Sequence, residues 1–538
     1  MKTVLVALNA KFAHSSLALR YLRAYQEKQE ILVREFSIND SLEHMYAALL
    51  FENASVYAFS CYIWNMELTL RLAEMLKTAL PEAQILFGGP EAGHRADRVL
   101  FQYPFVDMVI VGEGEETLKD VLESLEKKNP LSGIRGLARR GEPLIPRPLL
   151  DLTKMPQPYT QEDITENKDK ILYFETSRGC PFHCSYCLSS AEDKVRPFPM
   201  GYVKEGLSRF FAQNVPLVKL IDRTFNYDSK RAIEILTFIL KHSKNTCVHM
   251  ELEPRILTPE LLEVLKSAPK GKFQVEMGVQ STNPQTLKAV GRAFDWERMK
   301  ENILTLRSFG NMHIHLDLIA GLPYEDYEGF GKSFDDVYDL KPHMLQLGFL
   351  KVLPGTVLER ESRIRAVSFP PYEVVATDWI SAQELCYLKE VEEAVELFYN
   401  SGAFAKTIEK LTKTHPFAVF ESLGRLLKQE QQNGKKPRKA WYEILYDTYG
   451  ESVRAELSED FIRNNKSIPL PEFVRPKRER GFKDKAYRLM KDADFCKKYA
   501  ITPDLTRLRF ERMNGRAFMM DYQTNRLFDI TEEIKEDL

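Results

Sequence analysis

Short apolar runs alternate with segments of helical period through roughly the first 360 positions, and the alternation breaks in two places. From Lys2 to Glu126 the runs TVLVAL, ILVREF, SVYAFSC, QILFGG and DMVIV are separated by segments with apolar residues three and four apart, such as SSLALRYLRAYQEK and MELTLRLAEMLKTAL. Continuous apolar runs suit strands buried on both faces, and the helical segments suit crossovers. The pattern predicts a doubly wound, Rossmann-like parallel sheet. The stretch IRGLARRGEPLIPRPLLDLTKMPQPY, rich in proline and basic residues, interrupts the series and reads as a linker with room for a hairpin. Between Lys170 and Pro354 the runs ILYFETS, LVKLIDRT, CVHMELEP, FQVEMGVQ, HIHLDLIAG and MLQLGFLKVLP recur with helical crossovers, which predicts a partial (β/α)6 barrel. After Ser368 the strand pattern stops, helix-period segments dominate to Asp492, and RLRFERMNGRAFMMDY predicts a hairpin turning at Asn514-Gly515. The expected fold class is α/β in four parts: 1–130 a Rossmann-like domain, 131–169 a linker, 170–365 a barrel, and 366–538 a mainly α-helical domain.

Composition narrows the setting. A chain of 538 residues is long enough for three to four domains with their own cores. Net charge is -2 with 28% charged residues, so no global field draws the chain to nucleic acid or an anionic membrane. Seven cysteines are too few and odd in number for a disulfide frame, and no run approaches the ~18 apolar residues of a membrane span. Met1 leads into a charged strand rather than an apolar leader. A reduced, cytoplasmic protein with no membrane partner is expected, and its partners have to be recognised at sites.

Three of the cysteines share one short loop. In FETSRGCPFHCSYCLSS, Cys180, Cys184 and Cys187 are spaced C-x3-C-x2-C after the first strand of the second series, at the carboxyl end where parallel folds place ligands. Structural zinc takes four protein ligands. No second CxxC stands nearby, and His183, abutting Cys184, is a poor fourth. Cysteines packing merely as small apolar side chains have no need of this spacing. An iron-sulfur cube held by three thiolates leaves one iron open to a chelating small molecule, so the missing fourth thiolate has a use.

At these residues the chain resembles the radical S-adenosylmethionine (radical SAM) superfamily, with Tyr186 as the aromatic before the last cysteine. The resemblance implies a [4Fe-4S] cluster whose open iron takes the amino and carboxylate groups of SAM. It further implies reductive cleavage to a 5'-deoxyadenosyl radical that takes hydrogen from a substrate, and an electron donor such as flavodoxin or ferredoxin. The likeness extends over about residues 170 to 360. It places Asp222 and Arg223 of LIDRTFNYD near the methionyl amine, although an Asp there suits a helix cap equally well. Glu251 and Glu253 of HMELEP share one strand face and, with that face inward, suit ribose hydroxyls. Glu276 and Gln280 of QVEMGVQS repeat the arrangement, and Arg292 is the candidate for the SAM carboxylate. HLDLIAGLPYE resembles the segment that holds adenine near Ile319, with Gly321 allowing close approach.

Two glycine turns follow adjacent strands of the first series, GGPE (Gly88, Gly89, Pro90, Glu91) and GEGEET (beginning Gly112, Glu113, Gly114, Glu115). Such turns let backbone amides reach a ligand at a helix amino end. With Ser60, Tyr62, Trp64 and Asn65 of SCYIWN they resemble the cobalamin (B12)-binding domain fused ahead of class B radical SAM enzymes. The D-x-H-x-x-G motif is absent, which implies cobalt without an imidazole from that motif; His14 and His94 read as ordinary surface or loop residues. A cofactor-free relic, or a domain that holds part of the substrate, is the other reading. In methylating members one SAM methylates cobalamin and a second yields the radical, so methylation or other remodelling of an unactivated carbon is expected; relatives with the same domains also close rings and rearrange skeletons. The methylthiotransferase branch, which modifies tRNA or ribosomal protein, uses three cysteines in the first domain, where this chain has only Cys61. Cys247, Cys386 and Cys496 stand alone and far apart, and most of these cysteines read as packed residues. A non-catalytic iron-sulfur redox sensor is the alternative of another class. The carboxyl-terminal region resembles an uncharacterised extension of some class B enzymes, and its basic run VRPKRERGFKDK, Val474 to Lys485, reads as a solvated linker rather than a nucleic-acid site.

Overall fold

All five runs of the first series are strands: β1 (Thr3–Asn9), β2 (Ile31–Ser37), β3 (Val56–Ser60), β4 (Gln84–Gly88) and β5 (Met108–Ile110). The structure is a computed structural model and describes residues 1–538 apart from 27–29, 192–193, 294, 433, 475–480, 505, 514 and 536–538. The strands pair in parallel in the order β2-β1-β3-β4-β5. Alternate residues feed two cores. Val4, Val6, Leu8, Tyr57, Phe59 and Phe87 lie on one side; Leu5, Ala7, Val56, Ala58 and Leu86 lie on the other. Each fully buried side chain of this size contributes about 1.5–3 kcal/mol, and two such faces explain why the runs are apolar without interruption. The order changes direction between β1 and β3, which opens a crevice at the strands' carboxyl ends.

The linker forms no hairpin. Leu137–Ala138 instead add to the sheet edge as β6, antiparallel to β5 with Ala138 opposite Val109. Pro143, Pro146 and Pro148 lack the N–H that a second ladder strand would need.

The second series begins with β7 (Leu172–Phe174). Two short strands follow, β8 (Ser177–Arg178) and β9 (Arg196–Pro197), paired antiparallel so that the chain leaves at Arg178 and returns beside it at Arg196. Then come β10 (Leu217–Leu220), β11 (Cys247–Glu251), β12 (Phe273–Gln280), β13 (His313–Ala320) and β14 (Met344–Phe349). The sheet order is β14-β13-β12-β11-β10-β7, with β7 through β13 paired in parallel. Burial alternates strictly along β12 and β13: one face is buried, and the other carries Glu276, Gly278, Gln280, His315, Asp317 and Ile319, all partly buried. Strands do not end at Ser368. The β-branched run Val374–Thr377 forms β16 against β15 (Ile364–Ala366), too short a pair to show in the pattern.

The chain forms two compact units, Met1–Ser333 with Leu340–His343 and Leu347–Ala382, and Phe334–Asp339 with Met344–Gln346 and Gln383–Leu538. In the second, helices pack around aromatic pairs, Phe398 edge-on to Trp441 at 5.6 Å and Tyr442 edge-on to Phe461 at 5.0 Å. The expected terminal hairpin is present as β17 (Leu508–Met513) and β18 (Arg516–Asp521), with a third strand β19 (Arg526–Asp529). Asn514 and the centre of the basic run, 475–480, lie outside the described residues. Among the described residues, no helix is long and apolar enough to cross a membrane.

Candidate functional site

The three cysteines lie between β8 and β9, and none is in a disulfide. Cys184 is buried and its neighbours partly so; His183 is exposed. The loop is fastened from several sides. Cys187 N donates to Cys184 O at 3.0 Å, Ser185 N to Val290 O at 2.9 Å, and Leu358 N to Ser185 O at 3.0 Å. Thr224 Oγ1 stands 3.5 Å from Cys180 Sγ, and Arg292 Nη1 lies 3.8 Å from Cys184 Sγ. Burial pushes the Cys180 thiol up, so a metal arriving here has to displace protons. Burial also raises Tyr186, beside Cys184.

Several carboxyls predicted for ligand contact have protein partners. Asp222 is 1% exposed, and its oxygens accept from Thr176 N (2.9 Å), Thr176 Oγ1 (2.7 Å) and Ser177 Oγ (2.6 Å), so it fastens the end of β7. Arg223, next to it, is exposed. Glu253 does not share the strand face of Glu251: β11 ends at Glu251, and Glu253 accepts from Arg255 at 2.8 and 3.0 Å and from Arg292 at 3.1 Å. Arg292 also donates to Gly278 O at 2.5 Å. Glu276 takes His249 at 2.9 Å and Lys219 at 3.1 Å, which hold its pKa down at about 2.

Three groups remain open. Burial lifts Glu251 to about 7, despite Arg223 nearby. Gln280, with a left-handed φ of 71° at a break in register, keeps Oε1 buried without a partner. Asp317, pushed well up by burial, has an unpartnered buried Oδ1 and lies in register with Gly278. Sequence reading passed over Asp317. Its place in the HIHLDLIA alternation, two residues before Ile319, was the available signal. Ile319 is partly buried on the same face, and Gly321 has φ 88°.

In the amino-terminal domain the β3 and β4 loops lock together. Gly89 has φ 97°, and a Cβ there would come 2.6 Å from Cys61 O; Cys61 N donates to Gly88 O at 2.7 Å and Glu91 N to Cys61 O at 3.2 Å. Asn65 is an internal brace: Nδ2 donates to Leu8 O and Ser60 O, both at 3.0 Å, while Oδ1 accepts from Tyr62 N at 2.8 Å. Tyr62 and Trp64 stack at 4.4 Å, and Trp64 remains 47% exposed. Pro90 opens the short helix Pro90–Gly93. Glu91 is buried, bonded through Oε1 to Tyr372, with Oε2 unpartnered. Gly112 and Gly114 flank Glu113.

Glu113 and Glu115 face the barrel. Arg178, two residues before Cys180, donates Nη1 to Glu113 (2.7 Å), Nη2 to Glu115 (2.8 Å) and Nε to Glu175 (2.9 Å). Arg196 adds a bond to Glu113 at 2.9 Å. His94 is exposed just after the helix Pro90–Gly93, as expected, whereas His14 is partly buried at the joint. His14 Nδ1 bonds the Tyr173 hydroxyl, and His94 lies against the backbone at Gly355.

The chain matches known families in three blocks: the B12 binding domain over residues 3–122, the radical SAM superfamily over 174–337, and a protein of unknown function, DUF4080, over 364–528. An uncharacterized methyltransferase from Pyrococcus horikoshii is 27% identical over 53% of this chain and 64% of its own length. The cobalamin-dependent radical SAM methyltransferase TokK of Streptomyces tokunonensis is 23% identical over 68% of this chain. The chain thus spans 64% and 57% of the length of these curated relatives. The cobalamin-dependent radical enzyme OxsB, solved with aqua-cobalamin and S-adenosylmethionine, superposes with a TM-score of 0.59 at 15% identity, covering 94% of this chain and 77% of OxsB. That likeness is one of fold.

Proposed function

We propose that this chain, which joins a B12-binding domain, a radical SAM domain and a DUF4080 domain, is a cobalamin-dependent radical SAM methyltransferase acting on an unactivated carbon of an unidentified substrate. One observation carries the reading: the loop of Cys180, Cys184 and Cys187 is tied through Arg178 to Glu113 and Glu115, in the turn that follows β5 at the carboxyl end of the amino-terminal sheet.

The residues fit the implied groups. Three thiols on one fastened loop suit a cluster with one open corner. Gln280 Oε1, Asp317 Oδ1 and Glu251, whose carboxyl burial lifts to about 7, are unspent groups for the hydroxyls and amine of SAM, and Arg292 reaches both Cys184 Sγ and Gly278 O. Glu91 Oε2 is an unspent acceptor beside the glycine turn of the amino-terminal domain, suited to a corrin side-chain amide. When bound, the cluster and SAM supply a carbon-centred oxidant, and the corrinoid supplies the methyl group. The chain's own part is placement. Asp222 pins Thr176 and Ser177 ahead of the cluster loop, Arg292 braces the carbonyl of Gly278, and the buried faces of β12 and β13 exclude water from one side of the sheet. A reducing electron donor such as flavodoxin or ferredoxin and a cytoplasmic setting complete the proposal, since low-potential clusters and free thiols persist under reducing conditions.

The test is anaerobic reconstitution with iron and sulfide, followed by SAM and a strong reductant. Wild-type protein is expected to release 5'-deoxyadenosine, and Cys184→Ala to release none while keeping its circular dichroism spectrum. Equal release from the variant rejects the cluster assignment.

A further inference from the structure

Arg178 touches both cofactor-bearing segments at once and spends each of its three guanidinium nitrogens on a different carboxylate. Nη1 reaches Glu113, Nη2 reaches Glu115 and Nε reaches Glu175, at 2.7, 2.8 and 2.9 Å. The first two carboxylates belong to the glycine turn after β5 and the first residue of the helix Glu115–Glu126; the third follows directly on the end of β7. A planar guanidinium can hold three acceptors in fixed directions, whereas an ammonium on a flexible stem cannot. The side chain is only 14% exposed and lies against the rings of Tyr21 (5.3 Å) and Phe198 (5.8 Å), one from each domain. Glu113 is held from a second direction by Arg196 at 2.9 Å and by Leu150 N at 2.7 Å. Arg196 is the register partner of Arg178 across β8 and β9, so both ends of the cysteine loop are tied to Glu113.

Burial makes this joint stiff. A partner lost from a buried ion-pair cluster leaves uncompensated charge and costs several kcal/mol, which discourages the two segments from moving separately. A ligand that orders the turn at 112–116 therefore acts on the loop at 179–188 through Arg178.

We propose that Arg178 is a positioning residue that couples corrinoid binding in the amino-terminal domain to the ordering of the loop of Cys180, Cys184 and Cys187. The proposal rests on the reading above that the chain takes a corrinoid, and it adds a role for a residue outside the cofactor contacts themselves.

Hydrogen exchange on the full-length, cluster-free protein under anaerobic conditions tests it, with hydroxocobalamin as the probe. In the wild type, hydroxocobalamin is expected to slow exchange in the peptide 112–118 and also, by about fivefold, in the peptide 179–188. Arg178→Gln is expected to keep the first effect and lose the second. Arg178→Lys is expected to resemble Arg178→Gln, because charge without the fork cannot span three carboxylates. Glu115→Gln removes one of the three pairs and is expected to give an intermediate response; it carries the test where Arg178→Gln does not fold. Equal transmission in wild type and Arg178→Gln overturns the proposal, as does wild-type protection confined to 112–118. Absence of any slowing at 112–118 in the wild type overturns the corrinoid reading and the proposal together, whereas slowing there without transmission overturns the coupling alone.

Discussion

Glu251 owes its titration to its place at the end of β11. Burial raises it from 4.5 to about 7, against the pull of Arg223. The folded chain thus prefers the protonated form more than the unfolded chain does. That preference stabilises the fold fully below about pH 4.5 and is lost as pH rises through about 7. Glu251→Gln removes the proton linkage without changing shape. The stability of wild type relative to the variant, from urea titrations of the apoprotein at several pH values, is expected to fall between pH 5 and 8, by up to about 1.4 kcal/mol per pH unit. A pH-independent difference counts against the assignment. Gly89 offers a steric test. Its φ of 97°, and the 2.6 Å that would separate an added Cβ from Cys61 O, predict that Gly89→Ala loses about 1–3 kcal/mol, seen as a lower Tm. At this scale, spacing singled out the three cysteines, and strand alternation singled out Glu251 and Gln280. Asp222, Glu253 and Glu276 were not legible as bonded groups, because Thr176, Arg292 and Lys219 reach them from elsewhere in the chain.

Among elements, apolar runs announced every strand of the two large sheets except β6, since burial leaves its mark on three or more successive residues. The two-residue strands β6, β8 and β9 left none, because their partners and not their own composition create them. Yet β8 and β9 set the base of the cysteine loop. The helix Met200–Ala212 shows how tightly β7 is held: a Cβ on Gly206 would meet the Phe174 ring at 2.4 Å and Gln157 Oε1 at 2.9 Å. Phe174 is fully buried and cannot swing away. Gly206→Val is expected to cost about 1–3 kcal/mol and to lower SAM cleavage by shifting β7, as read by Tm and by 5'-deoxyadenosine yield. An unchanged Tm contradicts this packing.

For the molecule as a whole, the order of strand series predicted a Rossmann-like sheet ahead of a six-stranded barrel, and both parallel sheets are present in that order. What joins the blocks was hidden. Glu113 and Arg178 are 65 positions apart, Glu91 and Tyr372 are 281 apart, and no local pattern links such pairs. The linker's composition signalled only a break in the series, while the joint it spans is polar, buried and close to both candidate cofactor sites. Family likeness supplied the cofactors, and geometry supplied the partners of each side chain. The measurement that bears most directly on the central claim is the paired yield of 5'-deoxyadenosine and S-adenosylhomocysteine from reconstituted protein, SAM and reductant, with and without hydroxocobalamin. The account predicts 5'-deoxyadenosine in both cases and S-adenosylhomocysteine only when the corrinoid is present. Reconstituted protein that holds iron yet forms neither product, or forms S-adenosylhomocysteine equally without corrinoid, would contradict it.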